Sequence, residues 1–174
     1  MSHITALAAA AVVVLAPVLA GCDPSPAPTP TPTAAFASEE EAFAEAEKVY
    51  RAYNEAGNDD RSGRTKNSAI GYLTGIALED DLHMARSVEE QGLRLEGEAE
   101  VASVQRHSVD LQKRPAEIEI DVCLDITGTS VRDASGNDVT PTERQERLAI
   151  RVSLVVEAPR LLISDLVLLS EEPC

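Results

Sequence analysis

The chain predicts an α+β domain in which helices come first and an antiparallel sheet follows. Three observations carry this. Apolar residues recur at helical spacing between Ser38 and Gly92, and the period then drops to two in "AEIEIDVCLDI" and "ERLAIRVSLVVE". A turn-forming stretch, "DASGND", lies between those two strands. Helices followed by a run of strands place the helices together on one face of the sheet. The 174 residues suffice for one ordinary domain plus extra segments.

Taken in order, the chain opens with a small-apolar run, "ITALAAAAVVVLAPVLA". It is short for a membrane-spanning helix, and Pro17 interrupts it near its end. Small residues at its exit fit an export signal over residues 1–21. The n-region "MSH" has no Lys or Arg, so either export tolerates this or translation starts upstream of Met1. Leu19-Ala20-Gly21-Cys22 resembles the bacterial lipobox. That resemblance implies a diacylglyceryl group on the Cys22 thiol and cleavage just before it. Two acyl chains, at about 0.8 kcal/mol per buried methylene, anchor stably where one is marginal. Asp23 resembles the signal for retention at the inner membrane of double-membraned bacteria. "DPSPAPTPTPT" then alternates Pro with small residues, so residues 22–37 read as the lipidated cysteine and an extended polyproline spacer.

The folded domain is expected over residues 38–174. Ser38-Glu39-Glu40-Glu41 is a capping box with acidic residues in the first turn. Phe43, Ala46, Tyr50 and Tyr53 follow at helical spacing, and Gly57 is the expected helix stop. "GNDDRSGRTKNS" reads as a polar loop. "AIGYLTGIALEDDLHMARSVEEQG" reads as one or two shorter helices, with Leu73, Ile76, Leu82, Ala85 and Val88 on the apolar side. "LRLEGEAEVASVQRHSVDL" is a long strand weakened at Gly97. In the next two strands Ile118, Ile120, Val122, Leu124 and Ile126, and Leu148, Ile150, Val152, Leu154 and Val156, face inward. A hairpin folded about "DASGND" brings Glu119 opposite Arg151. "RLLISDLVLL" is apolar on both faces and reads as a central or covered strand.

This order, with "VCLDITGTSVRDASGNDV" and the terminal "EEPC", resembles the NTF2-like (cystatin-like) domains of many bacterial lipoproteins. There a C-x-D strand precedes a long hairpin with a D-x-x-G turn, and a cysteine closes the chain. The resemblance covers residues 38–174 and implies a cone-shaped α+β fold. In place of the G-x-W-like turn that often leads such domains into the last strand, this chain has "EAPRLLIS".

Formal charge is −15, the wrong sign for neutralising a phosphate backbone, which argues against a nucleic-acid partner. An exported Cys123 and Cys174 are expected to pair across the outer side of the sheet. The bond would enclose about 50 residues, worth roughly 4 kcal/mol on the chain-entropy model. Glu79, Asp80, Asp81 and His83 gather in "EDDLH", but acids in a first helical turn need no metal. "DASGND" lacks full calcium-loop spacing. No metal or cofactor is expected. Because the clearest stripes lining the cone are aliphatic, its polar lining would come only from Tyr50, Tyr53, Tyr72, His83 and His107. Core packing is the default role for Tyr50 and Tyr53.

The expected function is a non-enzymatic binding or assembly module of the cell envelope, held to the outer face of the cytoplasmic membrane by its lipid. Its unknown protein partner would contact the Glu119 and Arg151 face or the "GNDDRSGRTKNS" loop. The alternatives are a small-molecule enzyme or carrier using the cone, and a structural accessory subunit of an envelope complex.

Overall fold

The computed structural model describes residues 36–169 and Cys174. The leader, Cys22 and nearly all of the spacer lie outside the described residues. Ser38 caps helix α1 (Glu39–Arg61), its hydroxyl accepting from the Glu41 N–H at 3.2 Å. The Glu41 carboxylate accepts from Ala37 N–H at 2.7 Å, one residue before the position a standard capping box would use. A 3₁₀ turn (Ala69–Tyr72) and helix α2 (Gly75–Glu90) follow. Six strands follow among the described residues: β1 (Arg94–Gly97), β2 (Glu100–Asp110), β3 (Glu117–Asp125), β4 (Thr129–Arg132), β5 (Arg147–Glu157) and β6 (Arg160–Leu168). The fold is α+β, with an antiparallel sheet ordered β2-β3-β5-β6 and a two-stranded ribbon of β1 and β4. Among the described residues no helix is long and apolar enough to cross a membrane.

The core lies between α1 and the inward face of the sheet. Ile118, Ile120, Val122, Val152, Leu154 and Ile163 are almost wholly buried against Ala42, Ala46 and Tyr50. Small residues on α1 let the helix approach the aliphatic stripe closely. Each large side chain removed from water contributes about 1.5–3 kcal/mol, so this stripe is the main source of stability.

Several local expectations are corrected. Helix α1 does not stop at Gly57 but continues to Arg61. Tertiary hydrogen bonds override the glycine: Asn58 donates to Ala99 O at 3.0 Å and accepts from Ala99 N–H at 2.9 Å. Asn54 reaches the same carbonyl at 2.8 Å. The strand expected to be weak at Gly97 does break there. Gly97 has φ +88°, and a Cβ would lie 2.0 Å from Gly128 O, so β1 turns away to pair with β4.

"DASGND" is a turn, with Asp133 accepting from Ser135 N–H and Asn137 N–H. It closes a side excursion, because β4 leaves the main sheet and Arg144 clasps the Ile126 and Thr129 carbonyls at 2.9 and 2.7 Å. The register of β3 on β5 is therefore not set by that turn. Asp121, and not Glu119, stands opposite Arg151, with hydrogen bonds of 2.9 and 3.1 Å; Glu119 faces Ser153. On α2, Ile76 and Leu82 are exposed, and Ala77 is the buried contact. Strand β6 is an edge, not a central strand. Its first half is covered by the chain entering α2, where Thr74 N–H bonds to Ile163 O at 2.8 Å, whereas Val167 and Leu168 are exposed.

Candidate functional site

The aliphatic stripe of the sheet does not end where the core ends. Leu124 on β3, Ile126 just beyond its end, Ile150 on β5 and Leu166 on the edge strand β6 are only half-buried, and they line a cleft of about 840 Å³. Helix α2 supplies the facing wall through Met84, Ala85 and Val88. The volume lies within the range of small-molecule sites. The extension of α1 beyond Gly57 builds the third side, because it carries Asp60 and Arg61 to the cleft alongside Tyr50 and Tyr53.

The tyrosines form a tilted pair with ring centroids 5.9 Å apart. Burial, together with the neighbouring Tyr53, pushes the Tyr50 hydroxyl well above its ordinary range. Burial also pushes Tyr53 up to about 12; the charge of Asp81 adds to this and that of Arg61 opposes it. The two aspartates of the cleft differ. Burial pushes Asp60 up, but N–H donors of Ala69 and Ser68 and the hydroxyls of Thr65 and Ser68 outweigh it and hold the carboxyl below the usual range. Asp60 is thus the clasp that joins the end of α1 to the 3₁₀ turn. Asp81 is raised, first by burial and then by the like charge of Asp60. Arg61 donates to Gly97 O at 3.2 Å and to Asn58 Oδ1, and burial lowers its pKa.

The five candidate lining residues are not brought together. Tyr50 and Tyr53 line the cleft, so core packing is only part of their role. Tyr72 lines a separate hollow of about 620 Å³ with Phe36, Arg160 and Leu161. His107 is on the opposite face of the sheet, Nδ1 3.3 Å from Asp121 Oδ2 and Nε2 4.0 Å from Glu119. It gets there because β2 carries an extra residue between Arg106 and Ser108, which leaves Arg106 on the helix side over the Phe43 ring. His83 is exposed on α2. Strands β3 and β5 contribute Leu124 and Ile150 to the cleft lining. The helices supply Tyr53, Asp60, Arg61 and Asp81.

"EDDLH" is not in a first turn, since α2 begins at Gly75. Among the described residues no group of three His, Cys, Asp or Glu is placed to hold a metal ion. Sequence reasoning missed Asp60 and Asn58 because both sit beyond the expected helix stop.

On the outer face Cys123 and Cys174 are joined by a disulfide, with Cα atoms 5.5 Å apart. Cys123 is buried although it shares the polar face of β3. Leu169 N–H bonds to Ala149 O at 2.8 Å, and Ala149 is the partner of Cys123, so the chain leaves β6 close to the bond.

No protein-family model and no curated protein matches the sequence. Among solved structures the chain is similar to the intermembrane space region of chloroplast protein ARC6, with TM-score 0.51 and 13% identity over 71% of this chain and 92% of that one. At that identity the likeness shows a shared fold alone.

Proposed function

We propose that the chain is a lipid-anchored NTF2-like domain on the extracytoplasmic face of the membrane, that it acts by binding and not by catalysis, and that the cleft is its binding site. One observation carries this reading: an open cleft of about 840 Å³ with apolar side chains from α2 and the sheet and a few polar groups supplied by both helices, Asp60 and Arg61 from α1 and Asp81 from α2. General acid–base chemistry needs a group poised near the working pH and pointed at the substrate. Tyr53, pushed up to about 12, is poorly suited to that, and His107 faces away. The "LAGC" stretch supports the anchor and the proline spacer supports display at a distance from the bilayer.

Native mass spectrometry of the chain extracted from its own membranes tests both parts. The expected mass begins at Cys22 with acyl groups and carries a bound small molecule, and that molecule is lost in Ala85→Trp, which fills the cleft. An unacylated terminus elsewhere overturns the anchor. Identical bound mass in the variant, or no bound mass in either form, overturns the cleft.

A further inference from the structure

We infer that the cleft takes an organic cation, an apolar body carrying a protonated amine, with the Asp81 carboxylate as counter-ion and the Tyr50 and Tyr53 hydroxyls beside it. The inference rests on the cleft being the binding site and names what that site selects.

The charged groups of the cleft divide into satisfied and unsatisfied ones. Among the described residues, Asp60 is saturated by four donors and Arg61 is turned onto Gly97 O and Asn58. Arg94, also on the lining, pairs with Glu96 at 3.7 Å. Asp81 has no hydrogen bond or ion pair among these residues, and the charge bearing on it is that of Asp60, which is of its own sign. Glu89 at the exposed rim adds a further negative charge.

Tyr50 supplies an independent observation. The residue is 2% exposed, yet its hydroxyl has no hydrogen-bond partner among the described residues. No fully enclosed side-chain oxygen or nitrogen among them lacks a partner, so this hydroxyl reaches open space, and the space Tyr50 lines is the cleft. Buried polar groups are ordinarily satisfied, and an orphan at a cavity wall points to a ligand that completes it. A carboxylate without a cation, phenol oxygens that can accept, and aliphatic walls together specify an ammonium with an apolar tail. The chain's charge of −15 favours approach of such a ligand and disfavours an acid.

Titration calorimetry of the full chain in a non-ionic detergent, with phenethylamine, phenethyl alcohol and phenylacetate as probes, tests this. Phenethylamine should bind at least about tenfold more tightly than the alcohol, since a charge-assisted contact replaces a neutral one, and phenylacetate should not bind. Asp81→Asn should bring the amine down to the alcohol, and Tyr50→Phe, which keeps the ring, should weaken it several-fold. Ala85→Trp should abolish both. Alcohol or acid binding as tightly as the amine, and lost in Ala85→Trp, overturns the cation while leaving the cleft reading intact. An amine affinity unchanged in both Asp81→Asn and Tyr50→Phe, each shown folded by its melting curve, also overturns it. Absence of any binding sensitive to Ala85→Trp overturns it too, and the native mass measurement then decides the cleft reading separately.

Discussion

The two faces of the sheet treat their charges in opposite ways. On the outer face, Asp121 bonds to Arg151, Asp125 to Thr127 and Arg147, and Glu119 to Ser108, while the disulfide lies beside them. On the helix-covered side β3 and β5 contribute only apolar groups to the cleft, and the helices bring to it Asp60, saturated by its donors, and Asp81, which has no hydrogen bond or ion pair among the described residues. The outer face therefore serves stability and register, and the inner side retains interaction capacity for something else. Even the cationic loop after α1 is partly neutralised, because Arg64 pairs with Asp59 and approaches Glu98 at 3.7 Å.

The largest effect expected on the outer face comes from the disulfide. Replacing Cys123 and Cys174 together by Ser should cost up to about 4 kcal/mol on the chain-entropy model. Melting in the presence and absence of reductant should show the same drop for the wild type and none for the double variant. Unchanged melting in reductant would mean that the bond contributes nothing beyond the core.

Next comes the clasp at the cleft. Asp60→Ala leaves the donors of Ser68 and Ala69 unmet and should cost about 2 kcal/mol, with the 3₁₀ turn loosened first. Hydrogen exchange at residues 68–72 reads this directly. Asp60 and Asp81 should also respond to pH with opposite signs. Asp60 has a depressed folded pKa, so its contribution is complete above the ordinary carboxylate range and is lost as pH falls through the depressed value. Asp81 has a raised folded pKa, so its ionised form opposes folding above that value, and the penalty is relieved as pH falls toward the ordinary range. Asp81→Asn should therefore melt slightly higher than wild type at neutral pH, and the gain should vanish in acid. A variant less stable than wild type at neutral pH would mean that Asp81 has a partner within the fold.

The smallest effect belongs to the ion pair on the open face. Arg151 and Asp121 are each about one-third exposed, so the pair should contribute less than about 1 kcal/mol despite its short hydrogen bonds. A double-mutant cycle on Asp121→Asn and Arg151→Gln measures it. A coupling of several kcal/mol would make the outer face a second stabilising core.

Local chemistry alone determined a good part of this protein. The cap at Ser38 depends on residues three apart, and the stripe from Ile118 to Val122 depends on strict alternation, so both were legible without the fold. The break at Gly97 was legible as weakness, and Cys123 could be placed on the polar face by parity. Tertiary structure decided what depended on distant partners. Helix α1 outran Gly57 because Asn58 found Ala99, which lies 41 residues away. The β3–β5 register moved because β4 paired with β1 and detached the turn from the hairpin. Strand β6 became an edge because its apolar cover comes partly from the chain entering α2, not from a further strand. The cleft depended on all of these. An aliphatic stripe reads the same whether a helix covers it or stands off from it, and only the packing of α1 and α2 left its far end open beside Tyr50, Tyr53 and Asp81.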